Sequence, residues 1–283
     1  MLKKIAQTLT SALVLSAVSL PAMAHHEAIF GPQSSSIISN ANYAAFQIFT
    51  RQTGTASERT QETTPLVTVG VTPVESIPLS VSVIAPASSI NGLDGQGGDI
   101  SGIEDILFSA RYRYDLEYLQ NLWGKEGNYI MGMAGVEIPN GVIDHPSFQG
   151  PIDSMGAMMG SLEYGPFSAI AYSFYRHNAA NFLDKSGDNL FLGGGLAYTP
   201  VDDQNILSFQ LSFSYETYFA DVVNGEIDNQ TGGRGFIVHP TVYYSPGYNV
   251  SFFGVVSLPA WQSYADPTAQ DRFRIGTGVI YQF

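Results

Sequence analysis

Leu207, Phe209, Leu211, Phe213, Tyr215, Thr217 and Phe219 fall on one parity of the chain, and Ser208, Gln210, Ser212, Ser214 and Glu216 on the other. A period of two sustained over so many residues describes a strand with one apolar and one polar face. Ile106, Phe108, Ala110, Tyr112, Tyr114 and Leu116 alternate in the same way with Asp105, Ser109, Arg111, Arg113 and Asp115. Phe273, Ile275, Val279, Tyr281 and Phe283 close the chain against Arg272, Arg274, Gly276, Gly278 and Gln282. Turn signals divide the chain into twelve such segments. They are predicted near 41–52, 62–72, 78–86, 103–116, 128–138, 155–164, 166–178, 189–200, 205–219, 235–246, 249–259 and 271–283.

The connections alternate too. Tight ones are expected at 72–75, 164–166, 200–203 and 245–248, and long Gly-, Asn- and Asp-rich ones at 87–102, 139–154, 220–234 and 260–270. Segment 117–127 is long where a tight turn belongs, and its Tyr118, Leu119, Leu122 and Trp123 suit an amphipathic turn at a membrane surface. A soluble sandwich would turn its polar faces outward. A transmembrane barrel has an outward apolar band, aromatic girdles, a polar lumen and an even strand count. The predicted fold is therefore all-β: an antiparallel up-and-down transmembrane barrel of about twelve strands, with long extracellular loops and mostly short periplasmic turns. Tyr112, Tyr114, Tyr198, Tyr215, Tyr218, Tyr243, Tyr244 and Tyr281 lie near strand ends, where interfacial rings are expected.

Composition narrows the class. Only 13% of residues are charged while 12% are aromatic, the reverse of a disordered chain. With no cysteine, disulfides, thiolate metal sites and cysteine nucleophiles are excluded. A formal charge of −13 offers no basic patch for nucleic acid. Lys3 and Lys4, the apolar run from Ala12 to Leu20 and the Ala22-Met23-Ala24 cleavage pattern read as a signal peptide over 1–24. That leader carries two lysines and no acid, so its removal takes the charge from −13 to −15 and leaves 259 of 283 residues. Residues 25–40 then form a periplasmic segment or a plug, and 41–283 the barrel of a bacterial, Gram-negative outer membrane.

Gly102-Ile103-Glu104-Asp105-Ile106 followed by Ser109-Ala110-Arg111-Tyr112-Arg113-Tyr114 resembles a strand of the MetA-pathway phenol-degradation family. So do Gly135-Val136-Glu137-Ile138-Pro139-Asn140-Gly141 with Asp144-His145-Pro146, the segment His239-Pro240-Thr241-Val242-Tyr243-Tyr244, and the terminal Gly278 to Phe283. Glu104 stands where that family more often has glycine, and Asn140 where it has threonine. The resemblance implies an outer-membrane transporter-like barrel for small or aromatic compounds. The alternating strand that ends in Phe283 also resembles the closing strand of outer-membrane barrels, which implies that Phe283 is read by the barrel-insertion machinery.

Candidate chemistry follows from these faces. No G-x-S-x-G elbow marks an esterase, and His145, His177 and His239 lie far apart, so no enzyme is expected. No cofactor is called for. His25 and His26 are weak copper or nickel candidates at the mature terminus, and the Gly/Asp-rich 91–99 matches no calcium-loop spacing. Met131, Met133, Met155, Met158 and Met159 read as barrel packing rather than a soft-metal site. The predicted function is a channel or facilitated transporter for small solutes, aromatic ones included, whose partners are outer-membrane lipids. The alternatives are an adhesive barrel acting through loops 87–102 and 220–234, or a hydrolase. Nine charged residues on polar parities are assigned to the lumen. Asp105, Glu137, Glu216, Arg272 and Arg274 fall near the outer mouth, and Arg111, Arg113, Asp115 and Glu163 near the periplasmic end.

Overall fold

In the computed structural model, residues 42–56, 58–74, 77–92, 100–118, 128–139, 152–180, 183–200, 206–246 and 249–283 are described. The leader, the segment 25–40, the turn 119–127 and His145 lie outside them. Twelve antiparallel staves close on themselves. They are β1 (Tyr43–Gly54), β2 (Arg59–Val71), β3 (Leu79–Gly92), a fourth stave split into β4 (Ile100–Ile103) and β5 (Ile106–Asp115), β6 (Tyr129–Ile138), β7 (Asp153–Tyr164), β8 (Phe167–His177) and β9 (Asn189–Tyr198). The series continues with β10 (Ile206–Tyr218), β13 (Gly233–Ser245), β14 (Val250–Tyr264) and β15 (Asp271–Gln282). A small hairpin, β11 (Val222–Val223) with β12 (Glu226–Ile227), stands apart in the connection between β10 and β13. Closure is made by β1 against β15, from Tyr43 opposite Gln282 to Thr53 opposite Asp271.

The alternation becomes two surfaces. On β10, Phe209, Leu211 and Phe213 point outward and exposed, while Gln210, Ser212, Ser214 and Glu216 are buried inside. Apolar side chains on the outer face meet lipid, and polar ones inside escape the cost of leaving water. Tyr43 at the start of β1, Phe283 after β15 and the two-residue turn Gly165-Pro166 lie at the same end, the one expected to be periplasmic. Gly165, at φ 58, supplies the left-handed conformation that this turn needs. Around the same end Tyr112, Tyr114, Tyr164, Phe167, Tyr198, Tyr244, Tyr281 and Phe283 are exposed as an aromatic girdle. Tyr218 and Tyr243 depart from the expectation for interfacial rings: each is buried on the inner face of its strand.

Strand ends also differ from the sequence pattern. β3 continues to Gly92 and pairs with β4, so the loop expected over 87–102 begins as a hairpin. There the outward face turns polar beyond the membrane while the ladder persists, and periodicity in hydropathy no longer reports it. β14 likewise runs to Tyr264, and the connection 219–232 contains the β11–β12 hairpin.

Candidate lumenal site

The outer half of the barrel interior holds two ionic clusters. On one side Arg274, from β15, grips Glu216 of β10 in bidentate fashion, Nη1 to Oε1 at 3.1 Å and Nη2 to Oε2 at 2.8 Å. Arg274 also pairs with Asp271, which in turn accepts from Nε of Arg51 on β1. Tyr218 donates to Glu216 Oε2 at 3.1 Å. Two guanidinium groups and two carboxylates thus neutralise one another, a geometry that fork-shaped arginine favours.

The second cluster joins β6, β7 and β8. Arg176 Nη2 lies 2.6 Å from Glu137 Oε2, close but not aligned as a hydrogen bond, and 2.8 Å from Asp153 Oδ2, to which it donates. Asp153 also accepts from the backbone N–H of Ala179 at 2.8 Å, tying the cluster to the outer connection. Asp105 sits in the break between β4 and β5 and adds negative charge near Arg176. This group carries more acid than base.

At the periplasmic end Arg113 donates to Asp115 at 2.7 Å and stacks over the Tyr129 ring at 4.2 Å. Glu163 shares the inner parity of β7 with buried Ser161. Arg111 is buried on the inner face of β5, where its Nη1 donates to Tyr43 Oη at 3.1 Å. Arg272 differs from the other predicted lumenal residues. It is exposed, and its Nη1 reaches the Thr55 carbonyl at 3.1 Å. A bulge explains this: Gln52 faces Phe273 while Thr53 faces Asp271, so Arg272 is the extra residue and Asp271 takes the inward place.

Arg51, Asp153, Arg176 and Asp271 were not singled out from the sequence. The inner side of β8 reads Tyr172, Phe174, Arg176, so its charge shares a parity with aromatic rings. Those rings form a ladder along the wall. Phe174 stacks on Phe191 at 5.4 Å, Phe191 meets Tyr218 edge-on at 5.6 Å, and Tyr218 lies 5.8 Å from Tyr264. Met131, Met133, Met155 and Met159 pack on the same inner wall, while Met158 faces out. Among the described residues no group of acids and histidines has the makings of a metal site.

His239 Nε2 is 2.8 Å from Ser214 Oγ, and its Nδ1 is 2.7 Å from Ser257 Oγ. Ser214 donates its single proton to Glu216 Oε1 at 2.8 Å, so the histidine must donate to Ser214 rather than withdraw from it. The chain of protons runs from Ser257 through His239 and Ser214 to Glu216. That direction orients the Glu216 carboxylate and commits the Ser214 proton to it.

Outside the barrel, Asp188 is held by Lys185 at 2.8 Å, Tyr175 at 2.7 Å, His177 at 3.3 Å and the Asn178 backbone N–H at 3.0 Å. Burial alone would raise its carboxyl, but these donors outweigh it and bring it down to about 2. Asp221 is pushed up by burial, and the Gly187 N–H at 2.7 Å only partly offsets this. Through Asp221, Asn224 N–H to Asp184 at 2.7 Å and the Lys185–Val222 bridge, hairpin β11–β12 docks on 183–188.

These features define a class: a twelve-stranded up-and-down barrel of the outer-membrane type, with a charged and aromatic inner wall. The COG4313 outer membrane channel from Pseudomonas putida F1 has the same fold. It superposes with a TM-score of 0.70 at 10% identity, covering 86% of this chain and 96% of that one. The translocator domain of the autotransporter NalP from Neisseria meningitidis reaches 0.52 at 12% identity over 99% and 98% of the two chains. The beta domain of the Bordetella autotransporter BrkA reaches 0.52 at 11% identity over 87% and 100%. No family model matches the chain, and no curated protein matches it in sequence.

Proposed function

We propose that this barrel is a channel of the bacterial outer membrane for small solutes, aromatic ones included. In this reading the chain is exported by its leader 1–24 and inserted through the strand ending at Phe283. The observation that carries the proposal is the inner wall. Paired charges and an aromatic ladder from Phe174 to Tyr264 face the interior, where a barrel serving only as an anchor would need no more than packing. Resemblance of the Gly102–Tyr114 and Gly135–Gly141 segments to the MetA-pathway phenol-degradation family supports the aromatic part.

Planar-bilayer recording tests the channel directly. Discrete conductance steps from purified protein, and faster uptake of small solutes by cells that carry it, are expected. Intact, folded protein with neither property would overturn the proposal. A second reading, adhesion through the outer connections, draws on the docked β11–β12 hairpin, where Leu183 and Ile227 are 64% and 67% exposed. Deleting 222–227 abolishes function under that reading and leaves solute flux untouched under the first.

A further inference from the structure

Arg51, Arg176 and Arg274 each face at least one carboxylate. Arg111 does not. It is only 6% exposed, no acidic side chain pairs with it among the described residues, and its Nε is buried without a hydrogen-bond partner. Its one described partner, Tyr43, accepts through Oη and so keeps its own hydroxyl proton to give. Nearby, Ser82 and Ser109 share one hydrogen bond at 2.8 Å, which leaves one of their two protons uncommitted.

These donors converge for a structural reason. Tyr43, at the start of β1, lies flat over Gly70 of β2, where a Cβ would come within 2.2 Å of its ring. Gly70 pairs with Ser82 on β3, Ser82 pairs with Ser109 on β5, and Arg111 is the next inward residue of that strand. Arg111 itself stands between Ser80 of β3 and the buried Met133 of β6. A buried guanidinium with no counter-charge among the described residues, with hydroxyls nearby that still have protons to donate, asks for an acceptor-only anion. Two coplanar oxygens match the guanidinium fork, and Met133 with the Tyr43 ring offers an apolar surface beside it.

We infer that Arg111, Tyr43 and the Ser82–Ser109 pair form a binding station for the carboxylate of a small organic acid with an apolar body, in the periplasmic half of the barrel. The inference rests on the reading of the interior as a solute path, but equilibrium binding tests it without requiring conduction. Benzoate and its uncharged isostere benzamide are titrated calorimetrically into the full-length protein in detergent. Saturable benzoate binding at least tenfold tighter than benzamide is expected. Arg111→Gln should weaken benzoate at least tenfold, and Tyr43→Phe by a few-fold, with both variants retaining the faster gel mobility of the unheated barrel. Equal binding of benzoate and benzamide to the unmodified protein overturns the inference even if Arg111→Gln fails to fold. So does unchanged benzoate affinity in a folded Arg111→Gln. A barrel that binds benzoate but never conducts would instead count against the channel alone.

Discussion

Single atoms decide whether the inner wall is polar or crowded. Gly70 has no side chain because the Tyr43 ring occupies that space. Gly70→Ala is therefore expected to push the ring off the wall and cost about 1–3 kcal/mol, as overpacking does in other cores. The denaturant midpoint of the folded-to-unfolded gel shift measures it, and an unchanged midpoint would contradict the close approach. Asp188 supplies a pH test. Its folded carboxyl titrates at about 2, below the ordinary value of 3.8. A depressed carboxyl stabilises the fold above the ordinary value and loses that contribution as pH falls through the folded one. Protection of the Asn178 amide from hydrogen exchange should therefore hold at pH 4 and fail near pH 2, after correction for the intrinsic rate. In Asp188→Asn it should be weak throughout.

At the level of strands, the Arg176 clamp joins three neighbours through one guanidinium. Arg176→Ala removes the guanidinium beside Glu137, 2% exposed, and a broken buried pair costs about 3–5 kcal/mol. Replacing both, as Arg176→Met with Glu137→Leu, should recover most of that loss; no recovery in the denaturant midpoint would show that the pair does not act as a unit. Arg274→Ala takes the bidentate guanidinium from Glu216 and leaves Asp271 to Arg51, so reversal potentials in a salt gradient should move toward cation preference with insertion intact. Unchanged selectivity would remove Arg274 from the conducting path. The strands themselves were legible because β5, β10 and β15 separate apolar from polar parity over most of their length, with Leu107 and Ile280 as inward exceptions. The inner wall was less so. On β7 and β8 methionines and aromatic rings occupy both faces, and the bulge opposite Thr53 exchanges Asp271 for Arg272. Alternation counts residues one at a time and cannot register an extra one.

For the whole molecule, the even number of staves puts both barrel ends at one rim and the long connections at the other, and the first rim is expected to face the periplasm. Protease added to intact cells is expected to cut within 93–99, 139–152 or 219–232, while 73–76 and 246–248 stay protected; cleavage confined to the latter pair would invert the topology. The seam of β1 with β15 has one further consequence. Tyr43 and Gln282 are partners across the whole barrel, and among the described strands this is the pairing with the greatest separation in sequence. Loop-closure entropy makes such a contact slow to form, and until it forms two strand edges are unsatisfied. Until β15 is present one edge of β1 has no partner, so no shorter part of the chain has a closed barrel to rest in. Closure is therefore expected as a single late step that waits for β15.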